Sequence, residues 1–143
     1  MIKVNIEGLD IPQKLELKAK KVTKEAITEY TMDLLRVATL RTPVDEGNLE
    51  KSGTKEIKNT PNGATGKVSF KAMNKGYNYA VKMHNGRYKL GKESKAKSSR
   101  GARSKYYNGT FKVGSKYLEG TALSCKKGYE KDIQLRLSKA LDR

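Results

Sequence analysis

The chain holds a single cysteine, Cys125, and a single histidine, His84, among its 143 residues. A lone cysteine excludes an internal disulfide and a cysteine-based zinc cluster. A lone histidine leaves no room for a His-rich metal site or a two-histidine proton relay. Standing beside Asn85-Gly86, His84 reads as a surface or turn residue. No run approaches the roughly 18 apolar residues that a membrane-spanning helix needs. The opening M-I-K-V-N-I-E-G alternates instead of building an apolar signal core, so a soluble intracellular protein is expected. The patterns GxxxxGK[ST], GxGxxG and GxSxG are missing, which removes the phosphate-cradling loops and the nucleophile elbow. Asp45 and Glu46 are adjacent carboxylates of a kind that can hold Mg²⁺ beside phosphates. Turn capping by Asp45 and solvation of Glu46 account for them more simply. Cys125 lies on an apolar helical stripe and reads as a small core residue. No catalytic residue, metal ligand or cofactor is expected, and the chain does not read as an enzyme.

Acid is scarce as well: 15 Asp and Glu stand against 31 Lys and Arg, a net charge of +16. That imbalance implies an anionic or acidic partner without saying which. Leu, Ile, Val and Phe together number 28, close to one-fifth of the chain, near the level below which a core is hard to build. The length suits one domain, residues 1–143, and so lean a core would gain from burying further surface between subunits.

What is present is clearly patterned. Ile2, Val4 and Ile6 alternate with polar residues, a half-buried strand over 2–7. Asp10 can cap a following helix with Pro12 in its first turn. Leu15, Ala19, Val22, Ala26, Tyr30, Leu34 and Val37 then form one apolar stripe of a long helix. The stretch Arg41–Ser52, R-T-P-V-D-E-G-N-L-E-K-S, is the corner around which the chain is organised. Pro43 has no N–H and pushes Thr42 out of the α region, so the helix ends there. Asp45, Gly47 and Asn48 supply turn chemistry, Gly47 being the natural site for a positive φ. Leu49 follows as the first apolar residue of the next element. Residues 49–58 and 66–73 read as strands joined by the turn-rich T-P-N-G-A-T-G, a hairpin. Residues 77–86, Y-N-Y-A-V-K-M-H-N-G, fit either a short helix or a strand.

Residues 87–112 differ in kind. Arg87, Lys89, Lys92, Lys95, Lys97, Arg100, Arg103, Lys105 and Lys112 face one acid, Glu93, giving this stretch half the net charge. Its middle offers almost nothing to bury, so a flexible basic insertion is expected at about 87–110. About 19 flexible residues span roughly 25 Å, enough to reach a neighbouring subunit. The interleaved Tyr88, Tyr106 and Tyr107 suit phosphate contact with base stacking, and equally suit Arg and Tyr anchoring at a protein interface. Phe111 and Val113 suggest a short strand, and Ser115 can cap a second helix. That helix carries Leu118, Ala122, Cys125, Tyr129, Ile133, Leu137 and Ala140, with Gly120 and Gly128 weakening it. The fold class expected is α+β: a small, mostly antiparallel sheet with both long helices on one face, plus a long basic loop.

Three stretches in order resemble the tail-completion, or neck, proteins of tailed phages, also called minor capsid or head–tail joining proteins. T-P-V-D-E-G-N-L-E-K-S at 42–52 is similar to the family's A-P-V-D-T-G-x-L-x-x-S. Y-A-V-K-M-H-N-G at 79–86 resembles Y-A-x-x-x-E-x-G-T, with His84 in place of Glu. K-Y-L-E-G-T-A-L at 116–123 resembles R-P-F-L-x-P-A-L, with Tyr117 for Phe and Thr121 for Pro. The likeness covers nearly the whole chain, and 87–112 looks longer and more basic than the family's usual segment. It implies a non-enzymatic virion protein, assembled in the host cytoplasm, that forms a ring, with a hexamer favoured, between head-closure and tail-tube proteins. DNA would pass through the channel with non-specific contact at most, and no membrane is involved. In that setting Pro43, Asp45, Gly47 and Leu49 form the structural corner. Arg87, Lys89, Lys92, Lys95, Lys97, Arg100, Arg103, Lys105, Tyr106 and Tyr107 are the candidate contacts to partner or DNA. The alternatives are a stand-alone basic nucleic-acid-binding protein and a tail-tube terminator.

Overall fold

The computed structural model describes residues 2–6, 17–44, 48–61, 63–74 and 77–141. Strand β1 (Ile2–Ile6) is followed by helix α1 (Leu17–Arg41), a single helical turn α2 (Asn48–Lys51), and strands β2 (Thr54–Thr60) and β3 (Gly63–Phe70). Strands β4 (Met73–Asn74) and β5 (Tyr77–Asn78) come next, then helices α3 (Tyr79–Asn85), α4 (Lys92–Arg100) and α5 (Glu119–Leu141). The class is α+β, with a three-stranded sheet in the order β1-β3-β2 and a separate two-stranded ribbon β4-β5. Both pairings of β3 are antiparallel, Val4 lying opposite Val68 and Ile57 opposite Gly66. The alternation of β3 puts Ala64, Gly66, Val68 and Phe70 on the buried face, and Ile57 joins that face from β2. Otherwise β2 is exposed along its length, as befits a polar edge strand.

α1 lies on the buried face of the sheet, and α5 packs chiefly against α1 on the same side. Leu34 and Ile133, one from each long stripe, are completely buried. α1 is buried on a wider arc than its apolar stripe alone, because Thr23, Ile27 and Thr31 are covered too. The reason is close approach to β3. A Cβ on Gly66 would fall 1.8 Å from the Thr31 Oγ1, and one on Gly63 would fall 2.6 Å from a Thr23 methyl. The Thr31 hydroxyl is satisfied within its own helix by donating to the Ile27 carbonyl at 2.7 Å. Helix and strand therefore meet backbone to side chain, with no large residue between them at this point.

Several expectations are corrected. Residues 48–51 are helical and the strand begins only at Thr54. The Ser52 amide and hydroxyl both donate to the Leu49 carbonyl, closing a turn that drives Leu49 into the core. β3 stops at Phe70, and Met73–Asn74 pairs with Tyr77–Asn78 instead. Residues 77–86 use both conformations offered, a two-residue strand and then α3. Phe111 makes one bridge with Ala102, not a strand. α5 begins at Glu119, after a turn that includes Ser115, and runs unbroken through Gly120 and Gly128. Val22 is only half-buried. Asp10, Pro12, Asp45, Glu46 and Gly47 lie outside the described residues.

The core between the two long helices is aromatic. Tyr30 stacks on Tyr129 with centroids 4.8 Å apart, and Tyr106 meets both rings edge-on at 5.1 and 5.0 Å. Burial, first among the causes, raises the phenol pKa of Tyr30, Tyr106, Tyr117 and Tyr129, and takes Tyr88 to about 12. Groups whose folded pKa is raised hold their protons longer than the unfolded chain does. Their stabilising contribution is full below the unfolded value near 10 and is lost as pH rises beyond it. In an alkaline titration, part of the phenolate absorbance should therefore appear only together with loss of helical circular dichroism. Full ionisation of all eight tyrosines with the helices intact would contradict this packing. Gly66→Ala should lower stability by about 1–3 kcal/mol through overpacking. Adding Thr31→Ala should restore most of that, a non-additivity read by denaturant unfolding.

Candidate functional site

The end of α1 leaves carbonyls without helical partners, and an ammonium group from α4 meets them. Lys97 is only 7% exposed. Its Nζ donates to the Thr39 carbonyl at 2.9 Å and the Thr42 carbonyl at 2.6 Å. It also reaches the Thr42 hydroxyl and the Glu50 carboxylate on α2. A cation at a helix C-terminus is favoured both by the free carbonyls and by the helix dipole. Burial lowers the Lys97 pKa, while the hydrogen bond to Glu50 opposes that shift. Ser94, one turn earlier on α4, accepts the Val44 amide at 2.8 Å. The corner is thus held by α4, which lies some fifty residues further along the chain.

A second knot joins the corner to the remaining segments. Arg41 donates to the Lys112 carbonyl at 3.0 Å and the Thr121 hydroxyl at 2.7 Å, and its own carbonyl accepts the Gly114 amide. His84 is 1% exposed and is no surface residue. Its Nε2 accepts the Glu119 amide at 3.1 Å, so Nδ1 carries the proton and donates to the Asn85 Oδ1 at 3.0 Å. The His84 carbonyl accepts the Lys116 amide at 2.7 Å. His84 therefore caps the start of α5, the role expected of Ser115. The Tyr117 hydroxyl donates to the Ala80 carbonyl at 2.9 Å, and its ring lies edge-on to both Phe70 and His84.

The basic segment is no featureless insertion. Ser94, Lys97, Ala102, Ser104 and Tyr106 are buried, and α4 occupies its middle. The expectation that it has nothing to bury fails because its buried groups are mostly polar or small and carry no apolar signature. Of the candidate contacts, Lys97 and Tyr106 are structural. Lys97 is consumed by the corner, and Tyr106 by the tyrosine cluster. Arg87, Lys89, Lys92, Lys95, Arg100, Arg103, Lys105 and Tyr107 are exposed, and Arg103, Lys105 and Tyr107 line one cleft. The first five flank or lie on α4, whereas the last three sit on the segment that follows it. Tyr88 is half-buried and donates to the Met83 carbonyl at 2.8 Å. Pro43 and Leu49 of the corner are buried.

Sequence reasoning missed the internal roles of His84, Glu50 and Arg41, whose partners lie 35, 47 and 80 positions away in the chain. Cys125 is buried as expected, and burial raises its thiol pKa. Among the described residues no group of His, Cys, Asp or Glu is arranged to hold a metal, and no helix is long and apolar enough to cross a membrane.

Lys97→Met should leave the half-buried Glu50 carboxylate and the α1 carbonyls without their cation. It should lower stability by about 1–3 kcal/mol, while the exposed Lys95→Ala stays within about 0.5 kcal/mol of wild type. Equal effects in thermal unfolding would remove Lys97 from this role. Comparison with known protein families, curated proteins and solved structures yields no match to this chain.

Proposed function

We propose that the chain is a structural protein of a tailed-phage virion. It assembles as a ring in the neck, with a hexamer favoured, completes the tail and joins it to the DNA-filled head. The reading rests on the resemblance of three separate stretches to neck proteins. One structural observation supports it: the second and third of those stretches bond to each other, and Arg41, the residue just before the first, bonds to the third. Arg41 at the head of the corner meets Thr121 of the third stretch. His84 and Ala80 of the second meet Lys116, Glu119 and Tyr117 of the third. Two segments matched independently along the chain thus meet directly, and the other begins just after a residue that bonds to one of them, as motifs that define a shared fold would. The exposed cations of 87–105 then face a neighbouring ring or the head-closure proteins.

Sedimentation velocity and native mass spectrometry of the full chain should find a closed ring. A variant carrying Lys95→Ser, Arg100→Ser and Arg103→Ser, with structural Lys97 retained, should keep the ring and lose head–tail joining. The opposite outcome is a monomer at all concentrations that binds duplex DNA tightly. If its affinity fell with log salt at about −0.9 per phosphate contacted, and joining were unaffected by the variant, the stand-alone nucleic-acid-binding reading would replace this one.

A further inference from the structure

Residues 102–107 alternate strictly between buried and exposed. The chain, which makes a turn at 104–107 closed by the Tyr107 amide on the Ser104 carbonyl at 3.3 Å, sets Ala102, Ser104 and Tyr106 inward and Arg103, Lys105 and Tyr107 outward. The inward set is firmly anchored. Ser104 donates to Asp33 at 2.7 Å, Tyr106 packs on Tyr30 and Tyr129, and the Arg36 guanidinium holds the Arg103 carbonyl at 2.6 Å. Gly128 lets the segment press against α5, since a Cβ there would fall 1.8 Å from the Tyr106 carbonyl oxygen. The outward set and α5 enclose an open cleft of about 740 Å³, whose α5 wall presents Lys131 and Leu135.

We propose that this cleft docks an acidic segment of a partner protein that carries an apolar side chain. Carboxylates meet Arg103, Lys105 and Lys131, while the apolar group lies against Leu135 and Tyr107. Asp132 in the lining does not oppose this, because its carboxylate is already held by the Tyr30 hydroxyl and by Arg136. Leu135 is 53% and Tyr107 41% exposed, so the cations stand beside apolar surface in the Arg-and-Tyr composition typical of protein interfaces. A nucleic-acid strand would use the same cations but leave Leu135 idle. It would also find few faces to stack on, because Tyr106 and Tyr88 are turned to internal partners. A second copy of the chain offers little acidic surface to fill it, with 15 Asp and Glu against 31 Lys and Arg. The cleft lies within one copy of the chain, so docking there does not depend on ring formation.

Fluorescence anisotropy with the full chain tests it. The probes are a labelled nonapeptide of Asp and Glu around a central Leu-Phe pair, the same peptide with Ser-Gly at its centre, and an oligothymidylate of matching length. The Leu-Phe peptide should bind saturably and about tenfold more tightly than the Ser-Gly peptide. Lys105→Glu with Lys131→Glu should weaken it about tenfold or more, as should Leu135→Asp. Lys92→Glu with Lys95→Glu, an equal charge change on α4 outside the cleft, should change it about threefold at most. All the substituted positions are exposed, and circular dichroism of each variant checks that folding is retained. Absence of saturable peptide binding overturns the proposal, and so does an equal loss on reversing the α4 charges. Tighter binding of the oligothymidylate with Leu135→Asp silent would make the cleft a nucleic-acid site instead.

Discussion

The ammonium of Lys97, set against the last carbonyls of α1, is the contact on which the arrangement of this end of the molecule depends. Pro43 stops the helix, but stopping a helix leaves its carbonyls bare. Covering them with a side chain from α4 forces the basic segment to fold back on the corner. Once α4 is fixed there, Ser94 and Ser98 hold the corner and the chain near Val113 through the Val44 and Val113 amides. Residues 102–107 are then delivered onto α5. A stretch whose composition reads as solvated charge thereby becomes part of the scaffold.

The strands and long helices were legible because their burial follows simple periods. The four-three spacing of α1 and α5 reports one covered face on each helix. What could not be read was carried by polar groups. Lys97 looks like its exposed neighbours, since nothing local distinguishes a lysine that will meet carbonyls fifty residues away. His84 sits next to Asn85-Gly86, which suggests a turn, yet its imidazole caps a helix that begins thirty-five positions later. The corner misled in a related way. Its turn residues pointed to a sharp change of direction, but Leu49 is buried by a helical turn where a strand was expected. The tyrosines of the basic segment were read as contact residues by type alone. Only their alternation with Arg103 and Lys105 separates the one turned outward from the one turned in.

Glycine plays the same part in two long contacts, one made by α1 and one by α5. In β3 it removes bulk, so that threonines of α1 can reach the strand. In α5 it removes bulk so that the 102–107 backbone can lie against the helix. Gly128 costs the isolated helix some stability, yet the helix continues through it because tertiary packing outweighs the propensity. The lean aliphatic content is thus offset by close backbone approach and by a tyrosine cluster, which cover area without many Leu, Ile or Val.

The alternation along 102–107 has a further consequence. Anchoring and presentation are divided between two interleaved sets of positions on one backbone. The outward set touches the interior through Lys105 over the Tyr106 ring and Tyr107 against Phe111, and its exposed chemistry can otherwise be rewritten on one backbone. A library randomised at 103, 105 and 107 would sample new binding specificities on this frame, whereas one randomised at 102, 104 and 106 would sample mostly unfolded chains.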